Sequence, residues 1–426
     1  MELIKIATAG SVDDGKSTLI GRLLYETGAL KSDQIQHIEE KSAARGFGYL
    51  DLSLATDGLL TEREQGITID VSHIFFSTPK RRFIIADSPG HVEYTRNMVT
   101  GSSTAQASII LLDARKGVIE QTKRHFFVTQ LLGIKHIIFA INKMDLVNYK
   151  QEVFEDIKTT LNNLVDKHGN KDVSYHYIPL SALYNENIVS RSEKLDWHKG
   201  EALLDLMEAI PVESNKANDG VFQIQYVIRP KTEAFHDYRG FAGNVRSGVF
   251  SVGNAISIHP SGRKSIIKKI EKYGTAVDRV SAGENATLLL VDEIDASRGD
   301  SILNEQANVN RGKSISATFC WMQDTPLSNG NKYWLQQGVQ RSLVKVQSVR
   351  SKIDLEALAQ SQTNQLGLND IGKGVLALAQ PLSTKPYKEN PALGSFILID
   401  PQTFNTAGVG FIETAWKVLE PKLKIQ

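Results

Sequence analysis

The stretch Gly10-Ser11-Val12-Asp13-Asp14-Gly15-Lys16-Ser17 permits few folds. It fits G-x-x-x-x-G-K-[S/T], between an apolar run at Leu3 to Ala9 and a helix-like run at Thr18 to Tyr25. That is the strand–loop–helix setting of a phosphate-binding loop. Glycines let successive backbone N–H groups turn inward toward phosphate oxygens, and the N-terminus of the next helix adds its positive end. Lys16 is placed to reach the β- and γ-phosphates, and the Ser17 hydroxyl to ligate Mg²⁺. A chance glycine turn beside a surface lysine would not need these flanks.

Strand-like and helix-like runs alternate through the first half. Strands are predicted at Val71–Ser77, Arg82–Asp87, Ala107–Asp113, His136–Ile141 and Tyr175–Leu180, and helices at Gln34–Ala44, Glu93–Ser103, Thr122–Leu132, Gln151–His168 and Glu201–Ala209. This alternation predicts a mostly parallel sheet flanked by helices. Lys31 to Gly66 is polar, shows no strand pattern, and reads as a functional or mobile segment. Past Ile210-Pro211 and a polar linker at 214–220, short β-rich runs recur with glycine-containing turns and no long helix. They predict two small β-barrels. The expected domains are residues 1–213, an α/β P-loop GTPase domain, then a first β-barrel at 214–308 and a second at 309–426. Arg311-Gly312-Lys313-Ser314 repeats Gly-Lys-Ser but has Ala307 where the leading glycine should stand, and reads as a turn between the barrels.

With 41% hydrophobic and 23% charged residues and a net charge of +1, the 426-residue chain carries no global basic excess toward nucleic acid or membrane. The single cysteine, Cys320, excludes an internal disulfide and reads as a small buried hydrophobe. No apolar run approaches the ~20 residues of a membrane span, and no signal segment precedes the first strand. A soluble, cytoplasmic protein is the expectation.

Further segments give the phosphate loop its chemistry. Asp87, at a strand end, is placed to hold Mg²⁺ through a water, and the Gly90 N–H to sense a γ-phosphate. Asn142-Lys143-Met144-Asp145 ends another strand and reads as a guanine reader. The Asp145 carboxylate can accept from the ring N–H and the exocyclic amine of guanine, whereas adenine would leave a buried Asp145 unpaired. The Lys143 stem can lie over the base, and a backbone N–H near Ser181-Ala182, in the run Ser181-Ala182-Leu183, can meet the guanine carbonyl. Thr68 can complete the Mg²⁺ shell and order its segment only with GTP. His91, directly after Asp-x-Pro-Gly, is placed to orient the attacking water. Asp13 reads either as a solvated loop carboxylate or as one helping to hold a monovalent cation.

These residues resemble the translation-factor superfamily of GTPases, a GTPase domain followed by two β-barrels. Within it the chain is most similar to the GTPase subunit of heterodimeric sulfate adenylyltransferase. The similarity is carried by Ser11 and Asp14 in the loop, Glu62–Asp70, Tyr94–Met98, Asp113–Val118, Asp292–Asp295 with Ser297–Asp300, Trp321-Met322 and Leu398–Asp400. Ser88 stands where the family commonly has threonine, and Val92-Glu93 replaces the usual Glu-Gln. The resemblance implies a GTPase, with GTP and Mg²⁺, that couples hydrolysis to adenylylsulfate formation at a small catalytic partner subunit, without nucleic acid or membrane. It implies no adenylylsulfate kinase activity, since no second phosphate loop follows. Two alternatives share every nucleotide motif: an elongation factor delivering aminoacyl-tRNA, and a GTP-dependent scaffold with negligible turnover.

Overall fold

Apolar runs of six or seven residues, each ending in a polar residue or a glycine, are what a sheet covered on both faces requires. The computed structural model describes residues 2–44, 46, 48–56, 71–88, 95–211, 219–230, 238–305, 307–354 and 359–415. The chain divides into two compact units, one drawn from residues 1–212, the other from 213–354 and 360–426.

In the first unit, strands β1 (Leu3–Ala9), β2 (Ser72–Ser77), β3 (Arg82–Asp87), β4 (Ala107–Asp113), β5 (His136–Asn142) and β6 (Ser174–Pro179) form one sheet ordered β2-β3-β1-β4-β5-β6. Only β2 runs antiparallel to its neighbour. All seven residues of β4 are buried, as expected for a central parallel strand. Helix α1 (Lys16–Glu26) lays Leu19, Ile20 and Leu23 into the cluster holding Ile4, Ile6, Ile85, Ile109 and Leu111.

Register then decides where chemistry can gather. Thr8 is level with Asp87, and Asp113 with Asn142, so β1, β3, β4 and β5 finish along one edge. The chain reaches β3 on one side of β1 and β4 on the other. That reversal opens a crevice beyond the carboxyl ends of the strands.

Two elements lie in the described part of the polar segment after α1. Residues Ser32–Ala44 form helix α2, and Leu52–Ala55 a 3₁₀ turn whose Leu52 is buried. The turn lies against α1 where residue 21 has no side chain: a Cβ on Gly21 would stand 1.9 Å from the Leu52 carbonyl oxygen.

The second unit holds two closed antiparallel six-stranded rings, each with an added edge strand. The first joins Ala255–His259, Ser301–Asn304, Val221–Ile228, Gly240–Ser247, Asn285–Leu290 and Lys264–Lys272. The second joins Lys332–Gln337, Ser395–Ile399, Thr406–Ala415, Asn310–Trp321, Ile371–Thr384 and Gln340–Asp354. A half-buried pair, Lys385 and Asp219, and a 3.1 Å hydrogen bond from Asn390 Nδ2 to Ser247 Oγ tie one ring to the other. Cys320 is buried, and burial pushes its thiol up to about 12. No helix among the described residues is long and apolar enough to cross a membrane.

One reading is corrected. Arg311-Gly312-Lys313-Ser314 is not a turn but lies inside the strand Asn310–Trp321, where the pairing register shifts between Gly312 and Ser314. A bulge needs the small, permissive residue that also punctuates turns, so the two look alike in sequence. The polar stretch before 221 lies largely outside the described residues.

Gly21→Ala sets two effects against each other. Alanine in place of glycine improves a helix interior by about 1 kcal/mol, but Gly21 is buried and overpacking against fixed backbone costs about 1–3 kcal/mol. A net loss is expected, read as a lower urea midpoint for the first unit.

Candidate nucleotide site

The loop between β1 and α1 is shaped by its own backbone. Asp13 and Gly15 hold φ of 69° and 93°. The Ser11 N–H donates to Asp14 Oδ2 at 2.6 Å, and the Asp14 N–H returns to the Ser11 carbonyl at 3.2 Å. Lys16 is buried, with Nζ donating to the Gly10 carbonyl at 2.9 Å, which folds the ammonium back over the loop. Burial lowers the Lys16 pKa, and Asp87, Asp14 and Asp13 oppose that shift. Burial pushes the Asp14 carboxyl up to about 6, against the Ser11 N–H and the Lys16 charge. Val12, Ser17 and Thr18 are half-buried at the loop and the first turn of α1.

Asp87 is buried at the end of β3 and accepts a 2.8 Å bond from Thr8 Oγ1. Next to it, the buried Ser88 Oγ has no hydrogen-bond partner among the described residues. Thr68, Gly90 and His91 lie outside the described residues.

Asn142 joins this phosphate side to a second loop. Its Nδ2 donates to the Asp14 carbonyl at 2.8 Å, and its Oδ1 accepts the Ala182 N–H at 3.0 Å. A Cβ at Gly15 would stand 2.5 Å from that Nδ2, so glycine is required there by packing as well as by φ. Lys143 sits at φ 62°, with Nζ 3.2 Å from Asp113 Oδ2. Asp113 is buried, but Arg115 and Lys143 override that burial and hold its carboxyl down at about 2. Asp145 Oδ1 accepts from Ser181 Oγ at 2.5 Å, which fixes the carboxylate.

A cavity of about 210 Å³ lies where these groups meet, lined by Gly15, Thr18, Asn142, Lys143, Asp145, Ser181, Ala182 and Leu183. Tyr49, Asp51, Leu52 and Leu146 complete the wall. The first three come from the polar segment and carry no periodicity that could have placed them. Of the backbone N–H groups near Ser181-Ala182, that of Ser181 donates to the Glu186 carbonyl and that of Ala182 to Asn142 Oδ1. Arg22, unnoticed on the helix, donates Nε to the Ala182 carbonyl at 3.2 Å and Nη2 to the Leu183 carbonyl at 2.6 Å.

Residues 1–213 match the family model of the elongation factor Tu GTP binding domain, and residues 314–413 that of the GTP-eEF1A C-terminal domain. Over 417 residues the chain is 45% identical to sulfate adenylyltransferase subunit 1 of Aliarcobacter butzleri, covering 96% of this chain and 87% of that one. The chain belongs to the sulfate adenylyltransferase subunit 1 family. The Bacteroides fragilis protein of the same name is 44% identical over 414 residues, covering 96% of this chain and 86% of its own. A solved structure of sup35 complexed with GDP is similar over 98% of this chain and 95% of that chain, at 19% identity and a TM-score of 0.44. The first unit of this family member is thus a guanine-nucleotide-binding GTPase domain.

Asp14 supplies a pH test on the nucleotide-free protein. Its folded pKa of about 6 lies above the ordinary 3.8, so the folded chain keeps an extra proton between those values. Its contribution is therefore fully present below about pH 4 and is lost as pH rises through about 6. Asp14→Asn keeps an acceptor for the Ser11 N–H and has no proton to lose. Urea unfolding of both proteins should coincide near pH 4 and diverge in favour of the variant by on the order of 2–3 kcal/mol at neutral pH.

Proposed function

We propose that this chain is the GTP-hydrolysing subunit of a sulfate adenylyltransferase. In this reading it couples GTP hydrolysis to the formation of adenylylsulfate and pyrophosphate from ATP and sulfate, at a catalytic partner subunit. The observation that carries the reading is the convergence of loop 10–17, Asp87, Asn142–Asp145 and Ser181–Leu183 on one sheet edge, in a chain whose relatives bear the sulfate adenylyltransferase name. The setting proposed is sulfate assimilation in the cytoplasm.

Each residue has a proposed task. Gly10 to Thr18 cradle the phosphates through backbone N–H groups and the Lys16 ammonium. Asp145 accepts from two guanine donors, with Ser181 holding it and the Lys143 stem beside the base. Among the described residues no group of three or more His, Cys, Asp or Glu is placed to hold a metal ion. The oxygen donors present, the Ser17 hydroxyl and the buried Asp87 carboxylate acting through water, suit Mg²⁺, which takes few protein ligands and keeps its waters. The orphaned Ser88 Oγ beside Asp87 is a further oxygen placed to bond a water of that shell. When bound, Mg²⁺ would neutralise charge on the β- and γ-phosphates. The Thr68 hydroxyl is assigned to the Mg²⁺ shell, the Thr68 and Gly90 N–H groups to the γ-phosphate, and His91 to orienting the attacking water.

The energetic task explains why a GTPase is joined to this chemistry. The phosphate–sulfate anhydride is a high-energy bond, and only a step that consumes free energy can raise its yield over repeated cycles. The two switch segments, Lys31–Thr68 and Asp87–Met98, are proposed to alter the partner interface between nucleotide states. The partition proposed for these tasks is a GTPase domain at 1–213 and barrels at 214–308 and 309–426.

The test mixes this chain with its partner subunit, ATP and sulfate, and follows adenylylsulfate. GTP should raise the yield above the level without it, and a non-hydrolysable GTP analogue should abolish the excess. His91→Ala should do the same while changing GTP affinity by no more than a few-fold, because its proposed contact is to water. A yield indifferent to GTP, with tight GTP-dependent capture of aminoacyl-tRNA, would contradict the reading.

A further inference from the structure

Arg22 occupies an outer turn of α1, six residues past the phosphate-loop lysine, where an arginine ordinarily makes a solvated pair with a neighbour. One nitrogen does so: Nη1 lies 3.1 Å from Glu26 Oε1, an i,i+4 pair. The rest of the side chain behaves otherwise. It is only 13% exposed, and its other two donors reach 160 residues along the chain to the Ala182 and Leu183 carbonyls, at 3.2 and 2.6 Å. Two consecutive carbonyls held by one planar guanidinium leave that stretch of backbone little freedom to rotate.

The peptide plane carries the consequence. In a trans peptide the carbonyl of one residue and the N–H of the next point in opposite directions. Turning the Ala182 carbonyl toward Arg22 therefore turns the Leu183 N–H away from it. The two preceding amides are already engaged, Ser181 N–H with the Glu186 carbonyl at 3.1 Å and Ala182 N–H with Asn142 Oδ1 at 3.0 Å. Leu183, whose N–H is the remaining amide of the triplet, lines the same cavity as Asp145.

We infer that Arg22 is a positioning residue for base recognition: by holding the Ala182 and Leu183 carbonyls it aims the Leu183 N–H at the 6-oxo group of a bound guanine. The inference rests on the cavity being the guanine site. It divides the base between two readers: Asp145 takes the ring N–H and the 2-amino group, and the Arg22-held backbone takes the 6-oxo group. It also links the phosphate helix to the base loop through a side chain separate from Asn142.

Calorimetric titration of the full chain with GDP and with IDP tests this, because inosine keeps the 6-oxo group and lacks the 2-amino group. Arg22→Ala should weaken both nucleotides by the same factor, about tenfold for one lost hydrogen bond to a held group. The GDP-to-IDP ratio should stay at the parent value, since Asp145 remains fixed by Ser181. Arg22→Lys, which can satisfy one of the two carbonyls, should fall between parent and alanine variant at the same ratio. Unchanged GDP affinity in both variants overturns the inference. So does a loss that falls on GDP more than on IDP, because that marks a general collapse of the loop carrying Asp145 with it. Asp145→Asn in the same assay, titrated with GTP and XTP, separates the two ways of failing. An unaltered preference for GTP removes the guanine site itself. A switch toward XTP, with Arg22→Ala binding GDP as the parent does, removes Arg22 alone.

Discussion

One buried side-chain amide holds the site together. Asn142 spends its donor on the Asp14 carbonyl and its acceptor on the Ala182 N–H, bridging a loop that follows β1 and one that follows β6. Net, each such bond stabilises by roughly 1 kcal/mol, but a buried polar atom left without its partner costs about 1–3 kcal/mol. The two loops are therefore more strongly constrained to move together than the bond count suggests. The constraint spreads outward: Gly15 must lack a side chain to admit the amide, and Ser181 stands beside Ala182 to fix Asp145.

Strand register makes this bridge possible. Asn142 reaches the phosphate loop because β4, level with β5 at Asp113, separates it from β1 by one strand. The same register leaves the Asp113 carboxylate between Arg115 and Lys143, so its negative charge is compensated before any nucleotide arrives. The phosphate side keeps an unbalanced feature in Asp14, a buried carboxyl whose high pKa records the cost of ionising it below the loop.

How legible each part was depends on how local its cause is. Strands such as Ala107–Asp113 and helix Gln151–His168 agree with the structure to the residue, because continuous apolar runs and 3.6-residue spacing are local signals. The second ring was harder. Gln340–Asp354 runs 15 residues, but its register shifts at 346/348 and 349/351 break the alternation, so only Arg341–Ser348 reads as strand. Ser301–Asn304, a four-residue run after the polar stretch 292–300, is too short to show alternation, although it closes the first ring. In the proposed site, the motifs themselves were legible because their spacing and their flanking strands are local signals, and the structure brings Gly15, Asn142–Asp145 and Ser181–Leu183 to one cavity, while Thr68, Gly90 and His91 lie outside the described residues. Tyr49, Asp51, Leu52 and Arg22 were not legible, since each acts through contacts distant in sequence or with no periodic pattern.

If Asn142 makes one site of two loops, a ligand that touches only the base side must steady the phosphate side. Amide hydrogen exchange at saturating guanosine measures this directly. The account predicts slower exchange in residues 10–18 as well as 181–183 of the parent protein, with the protection of 10–18 lost in Asn142→Ala. Protection confined to 181–183 in the parent, or retained at 10–18 in the variant, would contradict it.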